Sequence, residues 1–311
     1  MTETLPARVR HRGRDVLLKY HRLLTGSGIH PPNGLAALGE CLDRGAEVLE
    51  IDIRLAADGR FVMLHDKTLE RETADGVGPV ARLASTAFTE LRLRGSDERA
   101  CTFEQVIERL EAAPYRPLKL QIDLKEAAPL SDAAIGVLLE AVDRLTAVPG
   151  LRVVVGCLAD WNLRALRRER PDLAVGLDFA FYLDAPVDGM PRLPTRLGSY
   201  GYLDDHPLAF DRSWPTARYL EDRFAGLIAQ VPGAAEYYLR KELLALCLAD
   251  GFDPIGYLHG HCPGCLVDVW TIDPERDGGE AALLQALDAG ADQITTNQSL
   301  QVAAWVERAG R

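Results

Sequence analysis

The stretch GAEVLEIDIRLAADGRFVMLHD, residues 45–66, decides the fold class of this chain. It holds two apolar runs rich in β-branched residues, 48–55 and 61–65, which predict two β-strands. Glu50 and Asp52 stand two apart in the first run, so a strand would project both side chains to the same face. A carboxylate on the buried face of a strand is costly unless a cation or a metal ion compensates its charge. The stretch therefore predicts β-structure and, within it, a charged site.

Short β-rich runs of this kind recur along the chain and alternate with amphipathic segments. Strand–helix alternation indicates a parallel sheet covered by helices. Seven or eight such units favour an α/β fold of the closed (βα)₈ TIM type over an open doubly wound sheet, as one domain over residues 1–311. The predicted strands are 16–22, 48–55, 61–65, 118–125, 151–157, 173–177, 266–272 and 293–296, and the clearest predicted helices are 34–44, 103–112, 132–145 and 161–168.

Residues 178–233 break this rhythm and predict an insertion on the barrel. They are rich in proline, aspartate and aromatic residues. Following a strand end, such an insertion would lie over the pocket as a lid. Its Tyr182, Tyr200, Tyr202 and Trp214 would either contact a substrate or pack the insertion onto the barrel.

Composition and charge exclude several classes of protein. The apolar fraction of 47% is ordinary for a globular chain, so disorder is not expected. Acidic residues outnumber basic ones, 46 against 35, which disfavours a nucleic acid as partner. No apolar run approaches the roughly 18 residues of a membrane-spanning helix. The sequence before Val16 lacks the apolar core of a secretory signal, and six cysteines are too few for a disulfide scaffold. We therefore expect a soluble, cytoplasmic protein.

Further polar residues stand at the ends of the predicted strands. His21 and Arg22 end the first, His65 ends the third, and Asp123 and Lys125 stand two apart in the fourth. Barrel enzymes place their chemistry at the carboxyl ends of the strands. Three carboxylates from two neighbouring strands would make an oxygen-rich site for a hard divalent ion, Ca²⁺ or Mg²⁺. With two histidines and two cations beside it, that site suits attack on a phosphodiester.

Each of these residues also has a purely structural alternative. A lone histidine at a strand end commonly has a structural role, and the Asp123–Lys125 pair could be a plain ion pair. Asp58-Gly59, between two apolar runs, is typical of a hairpin turn. The constellation is more specific than its parts, because the spacing and the strand-end placement recur together.

Ordered segments over most of the chain resemble the glycerophosphodiester phosphodiesterases, barrel relatives of phosphatidylinositol-specific phospholipase C. Residues 45–66 match the most diagnostic segment of that family, with Glu50, Asp52 and His65 in register. The other similar segments are His21-Arg22 (family His-Arg-Gly), Pro32-Asn33 (Pro-Glu-Asn-Thr), 69–73 (Leu-x-Arg-x-Thr), 120–125 (the strand with the last acidic ligand and a lysine), 267–273 (Val-Trp-Thr-Val-Asn) and 290–297 (Gly-x-Asp-x-Ile-x-Thr-Asp).

The resemblance implies a metal-dependent phosphoric diester hydrolase of lipid metabolism. Its substrate would be a glycerophosphodiester or a related small phosphodiester, whose hydroxyl next to the phosphate attacks first before water opens the cyclic phosphate. Two alternatives stay open: a phospholipase D-like or lyase reaction that stops at the cyclic phosphate, and an inactive barrel that binds a phosphorylated ligand. The implied roles are metal binding for Glu50, Asp52 and Asp123, acid/base catalysis for His21 and His65, phosphate binding for Arg22 and Lys125, and an apolar wall for Trp270.

Several positions depart from the family pattern near the expected site. Leu23 replaces the glycine after His-Arg, so the backbone there should approach a ligand less closely. Pro32-Asn33-Gly34 lacks a carboxylate of the family segment, and Asp123 is one methylene shorter than the usual glutamate. Asp273 replaces an asparagine, and Asn297 replaces an aspartate. The departures predict retained phosphodiester chemistry with an altered leaving group.

Two other motifs need an interpretation. His11-Arg12-Gly13 spells the family tripeptide, but it lies 22 residues before Asn33, whereas His21 lies 12 before it and nearer the family spacing. His21 is therefore the predicted catalytic residue. The pattern H-x-H-C-x-x-C, residues 259–265, is open to three interpretations: structural zinc, a redox dithiol or a plain loop.

Overall fold

Eight parallel strands close into a barrel, which confirms the predicted fold class. The structure is a computed structural model that describes residues 4–115, 117–185 and 215–309. The last barrel strand pairs with the first, and the first also pairs with the second, which closes the ring. The barrel strands are β2 (Arg14–Tyr20), β3 (Val48–Leu55), β5 (Lys119–Leu124), β6 (Arg152–Cys157), β7 (Val175–Asp178), β8 (Glu236–Arg240), β9 (Leu266–Trp270) and β10 (Gln293–Thr296).

Two more strands flank the ring and pair antiparallel with it. β1 (Arg8–His11) pairs with β2, and β4 (Phe61–Met63) pairs with β3. The predicted strand 61–65 is therefore the second arm of a hairpin and not a barrel strand. Its turn is the predicted one, with Gly59 in the left-handed region at φ 79°.

Helices follow the barrel strands and bury their apolar faces against them. Helix α3 begins at a capping box, in which the Thr102 side chain accepts from the Gln105 backbone N–H. Its buried positions have the spacing of one helical face: Phe103, Val106, Ile107 and Leu110. The helices are α1 (Leu35–Asp43), α2 (Ser85–Phe88), α3 (Phe103–Ala112), α4 (Asp132–Thr146), α5 (Asp160–Glu169), α6 (Thr216–Gln230), α7 (Lys241–Ala249), α8 (Pro254–His261), α9 (Gly279–Ala289) and α10 (Ser299–Ala309).

The barrel interior holds paired charges beneath the carboxyl ends of its strands. Lys19 Nζ lies 2.6 Å from Asp268 Oδ2, and Lys119 Nζ lies 2.5 Å from Glu236 Oε1. All four side chains are almost fully buried. Removing one partner of such a pair leaves an uncompensated buried charge, so each pair needs both of its members.

The ring of Tyr238 fills the space between two barrel strands that carry glycine. A Cβ on Gly176 would lie 2.1 Å from the Tyr238 hydroxyl, so no other residue fits there without movement. The Lys19 ammonium lies 4.5 Å from the centre of the same ring. Tyr238 therefore packs against the buried charges and closes the interior below the pocket.

The last part of the predicted insertion 178–233 belongs to the barrel. Strand β7 ends at Asp178, and α6 is a barrel helix that buries Leu220 and Phe224. Residues 215–230 therefore belong to the barrel. Tyr200, Tyr202 and Trp214 lie outside the described residues. The Tyr182 hydroxyl donates to the Asp160 carboxylate, so this tyrosine has a structural partner.

A second small core lies between β4 and α3, where the sequence predicted no insertion. Residues of this segment bury one another separately from the main core. Glu98, in the same segment, reaches the first turn of α1 and accepts a hydrogen bond from the Ala36 N–H at 2.8 Å. Gly34, the N-cap residue of α1, makes no side-chain cap of its own. A carboxylate from this segment therefore takes over the capping that a threonine or serine would provide.

The cap predicts a specific rescue. Glu98→Ala should lower the free energy of unfolding by about 1 kcal/mol, and Glu98→Gln, which keeps an acceptor oxygen, by less. A Cβ on Gly34 would lie 2.8 Å from Glu98 Oε1, so Gly34→Thr should destabilise the wild type and stabilise the Glu98→Ala variant. Urea unfolding of the four chains measures this, and equal effects of Gly34→Thr in both backgrounds would contradict it.

Candidate active site

A cavity of about 940 Å³ opens at the carboxyl ends of the barrel strands. The sequence analysis named eight site residues, and seven of them line this cavity. The eighth, Asp52, is fully buried and bonded to residues that do. The seven are His21, Arg22, Glu50, His65, Asp123, Lys125 and Trp270.

The chain turns sharply after β2, and this turn aims a backbone donor into the site. Arg22 and Leu23 both have left-handed backbone angles, φ 54° and 66°. As a result, the Arg22 N–H donates to Glu50 Oε2 at 2.6 Å. Leu23 is fully buried, so its side chain packs into the core at the position where the family pattern has glycine. Non-glycine residues in this region cost about 1–3 kcal/mol each, which the surrounding structure must offset.

Three carboxylates meet where β3 and β5 run side by side. Asp52 stands opposite Asp123 in the strand register, and Glu50 lies on the same face of β3. Ligand oxygens of all three lie within 4.8 Å of one another. Glu50 Oε1 is buried and has no hydrogen-bond partner among the residues that the structure describes. An all-oxygen donor set with an unpartnered buried oxygen fits a hard divalent cation.

Two cations balance part of this negative charge. Arg22 Nε lies 3.1 Å from Asp52 Oδ2, while Lys125 Nζ lies 3.1 Å from Asp52 Oδ1 and 2.5 Å from Asp123 Oδ2. Burial alone would raise the pKa of Asp52, but its positive neighbours, Lys125 foremost, hold that pKa below its usual value. Burial, followed by repulsion from Asp52 and Asp123, raises the pKa of Glu50. Glu50 is therefore the carboxylate with the least compensation from the protein.

Asn33 fixes the most buried of the three carboxylates. Its Nδ2 donates to Asp52 Oδ2 at 3.0 Å, and its Oδ1 accepts from the Asp52 N–H at 3.1 Å. Asn33 itself has a left-handed φ of 58°, a conformation that asparagine tolerates better than most residues. The sequence placed Asn33 in a family motif without a role, and the structure shows its contact with Asp52.

The two histidines face the cavity with different partners behind them. His21 Nδ1 lies 2.8 Å from Asn297 Oδ1, a neutral amide, and His65 Nδ1 lies 2.8 Å from Asp66 Oδ1, a carboxylate that also binds Arg71. Burial, with the charge of Arg22, lowers the pKa of His21 to about 3. Burial, with the charge of Lys125, lowers the pKa of His65 to about 4, against an opposing effect of Asp66. A carboxylate partner stabilises an imidazolium more than an amide oxygen does, so the contacts favour the charged form more at His65 than at His21.

Two residues that the sequence analysis missed hold the strand ends together. Arg54 donates to the backbone carbonyls of His65 at 2.7 Å and Lys125 at 2.8 Å. The Glu72 carboxylate accepts from the backbone N–H groups of His65 and Asp66. Arg54 continues the period-two pattern of Glu50 and Asp52, which is the signal that could have found it. The only sequence signal for Glu72 was its place in the family-like segment 69–73.

Trp270 lies at the edge of the cavity with one polar group unused. Its indole Nε1 is buried, and no described residue forms a hydrogen bond with it. The Arg240 guanidinium lies 5.8 Å from the ring centre and is itself paired with Asp184. The Arg240 guanidinium therefore holds one face of the indole ring, and the indole N–H has no acceptor among the described residues beside the pocket.

The two remaining motifs lie away from the cavity. His11 ends β1, and its Nε2 is 2.6 Å from Asp288 Oδ1. In the described part of the chain, the histidines and cysteines of residues 259–265 do not gather into a group that could hold a metal. His259 pairs with Asp292, and His261 stacks on Tyr257. His21 lines the cavity and His11 does not, so His21 stays the predicted catalytic residue. The described residues give no support to the zinc interpretation of residues 259–265.

Among the described residues, a second group could also gather around an ion: His65, Asp66 and Glu72. Both of its carboxylates are already occupied by donors from His65, Arg71 and the backbone. The cluster of Glu50, Asp52 and Asp123 is thus the better candidate for a cation.

No helix in the described ranges is long and apolar enough to cross a membrane.

Acidic, basic and histidine side chains gather at the carboxyl ends of the barrel strands, which is where barrel enzymes have their active sites. Residues 21–216 match the model of the glycerophosphoryl diester phosphodiesterase family, which is more than half of the chain. The chain therefore belongs to this family and is a phosphoric diester hydrolase by class.

Curated relatives agree with this membership, and solved structures share the fold. A glycerophosphodiester phosphodiesterase of Caldanaerobacter subterraneus is 26% identical over 187 residues, 58% of this chain and 72% of its own length. Glycerophosphodiester phosphodiesterase 1 of the mouse is 33% identical over 118 residues, 35% of this chain and 34% of the mouse protein. A structure of a putative glycerophosphodiester phosphodiesterase from Galdieria sulphuraria has a TM-score of 0.66 at 17% identity, covering 97% of this chain and all of that one. A phosphodiesterase of Oleispira antarctica was solved with its product sn-glycerol-3-phosphate. Its structure has a TM-score of 0.62 at 18% identity and covers 93% of this chain and 96% of that one.

The carboxylate cluster predicts a cation site that a calorimeter can measure. Glu50→Gln should lower the affinity for Ca²⁺ or Mg²⁺ by about tenfold or more, because it removes the carboxylate with the least compensation. Asp178→Asn, which alters another cavity-lining carboxylate outside the cluster, should bind the ion as the wild type does. Equal affinity of the two variants, or no binding by the wild type, would contradict the assignment.

The buried histidines predict a loss of stability in acid. Both pKa values lie below the ordinary value of 6.5, so the unfolded chain binds more protons and stability falls as the pH drops from about 6.5 toward 4. His21→Gln should flatten this fall, whose slope for one histidine cannot exceed about 1.4 kcal/mol per pH unit. Urea unfolding in EDTA at several pH values tests this, with His11→Gln as control. An unchanged slope in His21→Gln would show that this side chain is not buried in its neutral form.

Proposed function

We propose that the protein is a metal-dependent hydrolase of glycerophosphodiesters or related small phosphodiesters that uses two histidines. The observation that carries this proposal is the convergence of His21 and His65 on one cavity with the carboxylate cluster, Arg22 and Lys125. Proton transfer, charge neutralisation and a divalent ion each promote attack on a phosphodiester, and each has a candidate group here.

Glu50, Asp52 and Asp123 would hold the divalent ion, Ca²⁺ or Mg²⁺. When bound, such an ion acts as a Lewis acid on a phosphoryl oxygen. The unpartnered Oε1 of Glu50 supports this role, because a buried carboxylate oxygen without a donor is otherwise costly. Asn33 keeps Asp52 in one orientation, so this ligand would need little rearrangement on binding.

Arg22 and Lys125 would bind the non-bridging phosphate oxygens. Both cations contact Asp52 in the structure, and Lys125 also contacts Asp123. The negative neighbours, Asp123 and Asp52 first, outweigh burial and raise the pKa of Lys125, so it stays charged at neutral pH. A phosphate placed beside the carboxylate cluster would therefore meet two fixed positive groups.

The partners of the two histidines support different roles. His21, backed by a neutral amide, would accept the proton of the substrate hydroxyl next to the phosphate. His65, backed by the Asp66 carboxylate, would protonate the leaving alcohol oxygen. The hydroxyl oxygen forms a bond to phosphorus as the bond to the leaving oxygen breaks, which gives a cyclic phosphate. Water then opens the ring with the two histidines in exchanged roles.

The glycerol or head group would lie against Trp270, whose free indole N–H could donate to it. Of the cavity-lining cations, Lys67, Arg71 and Arg276 are exposed at the mouth. They would favour an anionic or neutral leaving alcohol over a cationic one such as choline. This supports the altered leaving group that the sequence departures indicated.

The proposal is tested by following a mixture of glycerophosphodiesters by ³¹P NMR, with Ca²⁺ or Mg²⁺ and with EDTA. His21→Ala and His65→Ala should each lose about 10²–10⁴-fold in rate, because each removes one proton-transfer group. His11→Ala should keep the wild-type rate. Glycerol phosphate as the final product supports hydrolysis, whereas accumulation of a cyclic phosphate supports a reaction that stops there. Retention of a phosphodiester without turnover would identify a barrel that only binds.

A further inference from the structure

Two side chains behind His21 form a short chain of hydrogen bonds. Asn297 lies between His21 and Asp273: its Oδ1 is 2.8 Å from His21 Nδ1, and its Nδ2 donates to Asp273 Oδ2 at 2.8 Å. Asp273 is almost fully buried and also accepts from the Asn297 backbone N–H at 2.9 Å and from Thr296 Oγ1 at 3.2 Å. Arg276 Nε lies 3.2 Å from the same carboxylate.

The chemistry of these groups allows one arrangement of protons. An ionised carboxylate only accepts hydrogen bonds, so Asp273 requires that Asn297 present its NH₂ group to it. The amide oxygen of Asn297 then faces His21, and an oxygen of this kind also only accepts. His21 must therefore carry its proton on Nδ1, which leaves Nε2 with a free lone pair.

We propose that Asn297 and Asp273 are positioning residues that hold His21 in the Nδ1–H tautomer, so that Nε2 is ready to accept the substrate proton. The inference rests on the proposed function, since it concerns the group assigned there as base. Neither residue touches the reacting atoms. They act through the orientation of one imidazole ring.

The residue types at the two positions make this arrangement particular to the chain. The sequence has Asp273 and Asn297 where the family pattern has asparagine and aspartate, and the structure shows that the exchanged residues bond to each other. The carboxylate is thereby separated from His21 by one amide. His65 keeps a carboxylate, Asp66, in direct contact. The exchange thus fixes the tautomer of His21 without placing a negative charge against its ring.

The wild-type chain gives the first measurement. ¹⁵N NMR of labelled histidine distinguishes the two tautomers, and the His21 signal among the seven histidines is assigned by its absence in His21→Gln. We expect the Nδ1–H tautomer, with and without EDTA. An Nε2–H tautomer would overturn the inference, and this measurement needs no activity.

Variants then separate positioning from structure. In Asp273→Asn the amide of Asn297 can face either way, so His21 should show both tautomers and kcat should fall about 10–100-fold with little change in KM. The double variant Asp273→Asn/Asn297→Asp restores a single tautomer and should recover most of kcat. Asp160→Asn removes a buried carboxylate that does not line the cavity, and it measures the general cost of such a loss.

The pH profile gives a readout that a structural role would not move. In the double variant the carboxylate contacts His21, so the pKa of His21 rises and the acidic limb of kcat/KM should shift upward by about 1 pH unit. Arg22, Asp52 and Lys125 also face His21, and they are the same in both chains. An unmoved limb, or a single tautomer and full kcat in Asp273→Asn, would overturn the inference. Absence of turnover by the wild type would instead overturn the proposed function.

Discussion

The packing of three carboxylates, two of them buried, within a few ångströms of one another is the constraint on which the rest of this site depends. Glu50 and Asp52 are almost completely withdrawn from water, and Asp123 joins them from the adjacent strand. Such a group repels itself and loses its hydration, so it persists only where positive charge and hydrogen-bond donors are built around it. The strained turn at Arg22 and the position of Lys125 at a strand end are two parts of that compensation.

The compensation extends well beyond the cavity. Asn33, which fixes Asp52, stands directly before the N-cap of α1, and α1 is capped by Glu98 from the segment between β4 and α3. This cap therefore connects that segment to the helix that follows Asn33. This explains how a glycine can occupy the N-cap: the carboxylate that serves it comes from more than sixty residues away in the chain.

The sequence predicted the parts of the site that follow from strand periodicity. It did not predict the parts that depend on contacts between residues far apart in the chain. Alternation along β3 and β5 placed Glu50, Asp52 and Asp123 on one face, and the parallel register brought them together. The run 61–65 has the composition of a barrel strand, but the Asp58-Gly59 turn before it indicated a hairpin, and the antiparallel pairing with β3 confirms the hairpin. The cap by Glu98 left no local signal, because a glutamate in a loop does not indicate which helix it reaches. The second core also depends on contacts that leave no local signal, and the sequence did not predict it. Packing against the barrel likewise shows that α6, which the sequence assigned to the insertion, is a barrel helix.

The departures from the family pattern change meaning once their surroundings are known. Considered singly, Gly34 loses a cap and Asp273 and Asn297 exchange their residue types, which suggests a site in decay. In the structure, Glu98 replaces the cap, and the exchanged pair bond to each other and to His21. A barrel that had kept only ligand binding would be under no requirement to preserve the orientation of a histidine by a buried carboxylate two side chains away. The paired compensations therefore favour a working hydrolase over an inactive binder.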